Sequence, residues 1–153
     1  MQKLLFFFWL AAISHSMPAQ SLPNDILLAE PEDHADLTAF PLFGRDCPRS
    51  TEPEDCSVRA FLEYVYLQIQ YPAQARTKGA EGQVVIAWTV DAQGHLQDPE
   101  ILEDPGLGMG DEVLRIFRRM QKKQGKKNRW QPGEVDGRPV DIRLKMPLNF
   151  RLA

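Results

Sequence analysis

The chain has 153 residues, 43% of them hydrophobic and 25% charged, with a formal net charge of −3. That length favours one domain over two, and two cysteines and three histidines are too few, at their spacings, for a four-ligand structural zinc site. The small net charge hides two opposite regions. Between Asp25 and Asp55 stand nine acidic residues and two basic ones, whereas eight of the fifteen residues from Arg115 to Arg129 are Lys or Arg and none is acidic.

At the N-terminus, Met1-Gln2-Lys3 places one positive charge ahead of an unbroken apolar run, Leu4 to Ile13, followed by Ser14-His15-Ser16 and small residues around Ala19. A charged start, a short apolar run and a polar exit describe a secretory signal peptide. The run is shorter than the roughly 20 apolar residues that a membrane-spanning helix needs. Residues 1–20 are therefore read as a cleaved signal peptide, with an uncleaved anchor and a cytosolic start as the other readings. Residues 21–39, acidic and carrying Pro23 and Pro31, read as a flexible arm, and the domain occupies 40–153.

Cys47 and Cys56 flank the polar segment PRSTEPED. In an oxidising compartment such a pair reads as a local disulfide, whose loop closure contributes about 2–3 kcal/mol; two free thiols are the alternative. Val58, Phe61, Leu62, Val65 and Ile69 then recur at helical spacing. They predict a helix from about Ser57 to about Gln70, stopped because Pro72 pushes Tyr71 out of the helical region. Ala73 to Lys78 reads as a further short turn closed by Gly79.

Val84, Ile86, Trp88 and Val90 alternate with Val85, Ala87 and Thr89, the period of a strand. Asp91-Ala92-Gln93-Gly94 is a hairpin turn, and Leu96 to Leu102 is the returning strand. Pro99 sits awkwardly there, since proline donates no ladder hydrogen bond and is confined to edges or bulges. Asp111 reads as the cap of a second helix, with Glu112 in its first turn and Val113, Ile116, Phe117 and Met120 as its buried stripe. Trp130 is expected to anchor the following loop in the core, and Asp136-Gly137 to lie in an irregular connection.

From 140 to 152 every even position is apolar and every odd one is polar or proline, a long half-buried strand. Pro147 is best accommodated if that strand lies at an edge, its missing donor facing away from the neighbour. Helix, hairpin, helix, strand predicts an α+β fold of two layers: a three-stranded antiparallel sheet with two helices on one face.

The segments QIQYPAQA, EGQVVIAWTVDAQGHLQ, DEVLRIFRRM, RWQPG, DGRPV and LKMPLNFRL, in that order from 68 to 152, resemble the C-terminal domain of TonB-like proteins. FPLFG at 40–44 is similar to the lead-in of some members. The resemblance implies a periplasmic, non-enzymatic domain without cofactor or metal. It would bind a segment of an outer-membrane TonB-dependent receptor by strand addition, in which main-chain bonds hold the ligand and side chains select it. It also implies that Gln68, Gln70, Tyr71 and Pro72 lie beside the bound strand, and that the last strand, through Ile142, Arg143, Leu144, Lys145 and Asn149, provides the edge. The chain departs from a full energy transducer in showing no anchor with a long proline-rich spacer, in the insertion QKKQGKKN, and in the Cys47–Cys56 segment. An exported domain using the same edge to form a homodimer, or to dock on another envelope complex, is the alternative.

The basic run from Arg115 attracts phosphate in principle, but no aromatics interleave it and nucleic acid is an odd partner for an exported protein. A solvated face is the simpler reading, and any membrane association is indirect. His95 with Asp91 and Asp98, and the pairs Glu103-Asp104 and Asp111-Glu112, each have a local explanation in a turn, a loop or a cap, and no nucleophile stands beside them.

Overall fold

The computed structural model describes residues 28–29, 36–44, 46–124 and 130–152. The expected signal peptide and most of the expected arm lie outside them. Strands β3 (Gly82–Val90) and β7 (Ile142–Phe150) pair antiparallel without interruption from Gly82↔Phe150 to Val90↔Ile142. Strand β4 (Leu96–Glu103) flanks β3, and the short strand β1 (Leu28–Ala29) flanks β7, giving the order β1-β7-β3-β4. Val84, Ile86, Trp88 and Val90, with Ile142, Leu144, Met146, Leu148 and Phe150, all turn to one buried face, as period-two alternation requires.

Helices α1 (Pro53–Tyr66) and α3 (Met109–Lys122) supply the second layer. Phe61 of α1 lies 5.2 Å from Trp88, 5.7 Å from Phe117 and 5.0 Å from Trp130 between ring centroids, and Phe43 adjoins it at 5.2 Å. This aromatic cluster is the centre of the core, and Trp130 is the anchor expected of it, 2% exposed. The α+β architecture and its three main strands stand as predicted. The short turn expected over Ala73 to Lys78 is the helix α2 (Ala73–Thr77), and around these elements the structure adds β1 and a second antiparallel sheet, ordered β2 (Leu37–Ala39), β5 (Gly133–Val135), β6 (Arg138–Val140). Leu37–Ala39 was expected in the arm and instead pairs with β5.

Several boundaries differ for local reasons. Helix α1 begins at Pro53 rather than Ser57, because proline is pre-organised for a first turn and Glu54 and Asp55 suit its positive end. It ends at Tyr66, so Gln68 lies in a turn and Gln70 beyond it. Helix α3 begins at Met109, not at an Asp111 cap: Asp104 Oδ1 accepts the amides of Gly106 (2.8 Å) and Gly110 (3.1 Å), capping the helix from the preceding loop. Residues 140–152 are not one strand, since β6 ends at Val140 and β7 starts at Ile142. The Asp136-Gly137 connection is a tight hairpin, with φ of 50° and 73°, the left-handed pair that a type I′ turn demands.

Pro99 is accommodated in a bulge. The register of β4 passes from Ala87↔Glu100 to Thr89↔Gln97, leaving Asp98 (φ 46°) and Pro99 opposite Trp88 on an edge strand. Cys47, in a 3-10 turn at Cys47–Arg49, is joined by a disulfide to Cys56 in α1. Beside it, the buried Ser57 hydroxyl accepts the Phe43 amide at 2.6 Å, fastening the chain before α1 to the helix.

Candidate functional site

Main-chain groups in a strand alternate between its two sides. Asn149 donates its amide to Tyr66 Oη at 3.0 Å, so its peptide group faces away from β3. Arg143, Lys145 and Pro147 share its parity and also face outward, while the even positions bond to β3. Pro147 thus directs its missing N–H away from β3, as expected, but β7 is not an edge strand: it lies between β3 and the short strand β1. Its outer margin is therefore not wholly open. Leu28 pairs with Lys145 and Ala29 with Leu144, so the chain lays two of its own residues along β7.

The side chains expected at this site divide into two groups. Ile142 and Leu144, 1% and 0% exposed, point into the core and brace the strand from behind. Arg143 crosses the solvent face of the sheet to the Glu100 carboxylate at 2.6 Å. Lys145 is half-buried on that face, and Asn149 Oδ1 accepts from Gln83 Nε2 at 3.1 Å.

The Gln-Tyr-Pro segment reaches the same end of β7. The Tyr71 ring meets the Phe150 ring edge-on at 5.6 Å, and its hydroxyl donates to the Ala80 carbonyl. Burial, with the Glu81 carboxylate, raises the Tyr71 pKa above its ordinary value. Pro72 caps α2. The glutamines act differently from expectation. Gln68 Nε2 folds back on the Tyr64 carbonyl at 3.1 Å, and the Gln68 carbonyl accepts from the Arg115 guanidinium at 3.1 Å. The Gln70 amide donates to Glu112 Oε1 at 2.7 Å, while the Gln70 side chain is exposed. Gln70, Tyr71, Pro72, Gly108, Glu112 and Arg115 line a shallow cleft of about 340 Å³.

Glu112 and Arg115 fix this segment to α3. The two are joined by a forked pair of bonds at 2.8 and 2.7 Å. Burial alone pushes the Glu112 carboxyl up, but Arg115 and the Gln70 amide outweigh it and hold the carboxyl below its usual range. The bond to Glu112 raises Arg115 in turn. Neither residue, nor Tyr66, stood out in the sequence. Glu112 reads there as a first-turn acid, Arg115 as one of many bases, and Tyr66 lies off the apolar stripe.

Within the acidic groupings of the sequence, Asp91, Asp104 and Glu112 each accept main-chain amides. Asp91 Oδ1 accepts the Gln93 and His95 amides at 3.0 and 2.8 Å, and Oδ2 accepts Gln97 Nε2 at 3.1 Å. Burial opposes ionisation of Asp91, yet these bonds leave its pKa lowered. Among the described residues no three His, Cys, Asp or Glu side chains converge as a metal site, and no helix is long and apolar enough to cross a membrane.

The fold defines an α+β domain whose main sheet carries the short strand β1 along the outer margin of β7. Residues 68–152, more than half of the chain, match the family described as Gram-negative bacterial TonB protein C-terminal; the chain belongs to that family. Among solved structures it is similar to the solution NMR structure of the TonB C-terminal domain of Pseudomonas aeruginosa, at 25% identity and a TM-score of 0.39, over 55% of this chain and 78% of that one. No curated protein matches it.

Proposed function

We propose that this chain is a non-enzymatic periplasmic domain that binds an extended segment of an outer-membrane TonB-dependent receptor along the outer margin of β7. Family membership supports the class of partner. The observation that carries the mode of binding is the pairing of Leu28–Ala29 with Leu144 and Lys145, a strand already added at that margin. Arg143 and Lys145 supply its outward N–H donors, and main-chain pairing of this kind is how an added strand is held.

The test is a titration of the full chain with peptides from receptor N-termini. Saturable binding is expected, weakened about tenfold or more by Lys145→Pro, since the lost bond and a proline ring both oppose the ligand strand. The same change should leave the ladder between β3 and β7 in place, because the Lys145 N–H faces away from β3 as position 147 does, while it loosens the pairing with Leu28. Unaltered affinity in Lys145→Pro would refute strand addition at β7. The homodimer reading draws on the same pairing, with the segment supplied by a second copy. It predicts a concentration-dependent dimer in sedimentation and no response to peptide.

A further inference from the structure

The outward positions of β7 are not equivalent. Arg143 and Lys145 each carry an N–H on the side where Leu28 of β1 pairs with Lys145, Pro147 has none, and the Asn149 N–H is given to a side chain, Tyr66 Oη, at 3.0 Å. Tyr66 is the last residue of α1 and is 42% exposed, while Phe61 and Val65 of the same helix are fully buried. Packing therefore gives no reason for a hydroxyl at that position. The polar contact made there is to the strand margin. A little further along, the Tyr71 ring packs against the buried Phe150 ring and its hydroxyl bonds the Ala80 carbonyl, so at the margin itself the contact is made by Tyr66.

We propose that Tyr66 is a specificity-determining stop for the added strand. It fixes the register of an incoming segment on Arg143 and Lys145 and selects short extended segments over ones that run the whole length of β7. This inference rests on strand addition as the mode of binding. A ligand reaching past Pro147 would have to displace the phenol to use the Asn149 amide. It would then exchange one hydrogen bond for another of similar worth, with no net gain.

The test compares the full-length wild type with Y66F and Y66A. The probes are synthetic peptides carrying the chain's own sequence Asp-Ile-Leu-Leu-Ala-Glu, residues 25–30, lengthened by Thr-Val pairs at either end. Wild-type affinity should level off as the peptides grow. Y66A should gain about three- to tenfold more, the worth of one further hydrogen bond, before it levels off, with Y66F between because its ring still obstructs. In the absence of peptide, amide exchange at Asn149 should quicken in both variants, while exchange of the Val84 and Ile86 amides stays unchanged, reporting an intact fold. Identical length dependence in all three proteins, or unchanged Asn149 exchange in Y66F, would overturn the stop and leave strand addition standing. No binding at any length would overturn both.

Discussion

Glu112 governs the Gln-Tyr-Pro segment more directly than either glutamine side chain does. It accepts the Gln70 amide and holds Arg115, which in turn grips the Gln68 carbonyl. Glu112→Gln keeps an acceptor for Gln70 and removes the charge. With Arg115 partly in solvent, the expected cost is about 1 kcal/mol, read as a shift in the urea midpoint. The pH dependence has a definite sign. The folded carboxyl lies below its unfolded value of about 4.3, so the contribution is complete above that value and is lost as pH falls through the lower, folded one. Wild type and Glu112→Gln should therefore differ at neutral pH and converge in acid. This residue illustrates what the sequence conceals. An i,i+3 acid–base pair is visible on paper, but the third partner, a main-chain amide from a distant turn, is set by tertiary packing alone.

Among the elements, α3 shows how a cap drawn from outside the helix changes the usual rules. Alanine is normally about 1 kcal/mol better than glycine inside a helix. A Cβ on Gly110 would lie 2.4 Å from Asp104 Oδ2, displacing the carboxylate that accepts the Gly106 and Gly110 amides. Gly110→Ala should thus destabilise the protein by about 1 kcal/mol, the size of a lost cap. In an Asp104→Ala background the same change should instead stabilise it, and thermal unfolding of the four proteins decides the sign. Element legibility followed the length of the pattern. The alternation of Val84 to Val90 and of Ile142 to Phe150 announced β3 and β7, and Pro147 announced which side of β7 faces away from its long neighbour, but not that β1 lies there. The three-residue strands β2, β5 and β6 are too short for periodicity to reveal, even though Asp136-Gly137 is a strong hairpin dipeptide. The pairing of Leu28–Ala29 with β7 was hidden because two residues carry no pattern at all.

In the molecule as a whole, the folding unit is larger than the residues that match the family. Helix α1 lies before that match, yet its Phe61 is fully buried among Phe43, Trp88, Phe117 and Trp130. The Cys47–Cys56 bridge ties that helix to the chain leading into it. The disulfide was legible from the spacing and polarity of its loop, but the dependence of the core on α1 was not. Replacing both cysteines by serine should cost about 2–3 kcal/mol, and reduction of the wild type should match it in chemical denaturation. The two margins of the main sheet also differ in kind. Beyond β4, the kink at Asp98 and Pro99 and the carboxylates of Glu100 and Glu103 discourage any further pairing, whereas the outer side of β7 is paired with the short strand β1. Under the proposed mode of binding, a sheet receptive on one flank only would be a terminator rather than a link: with one chain taken up, no second flank is left from which a fibre could grow.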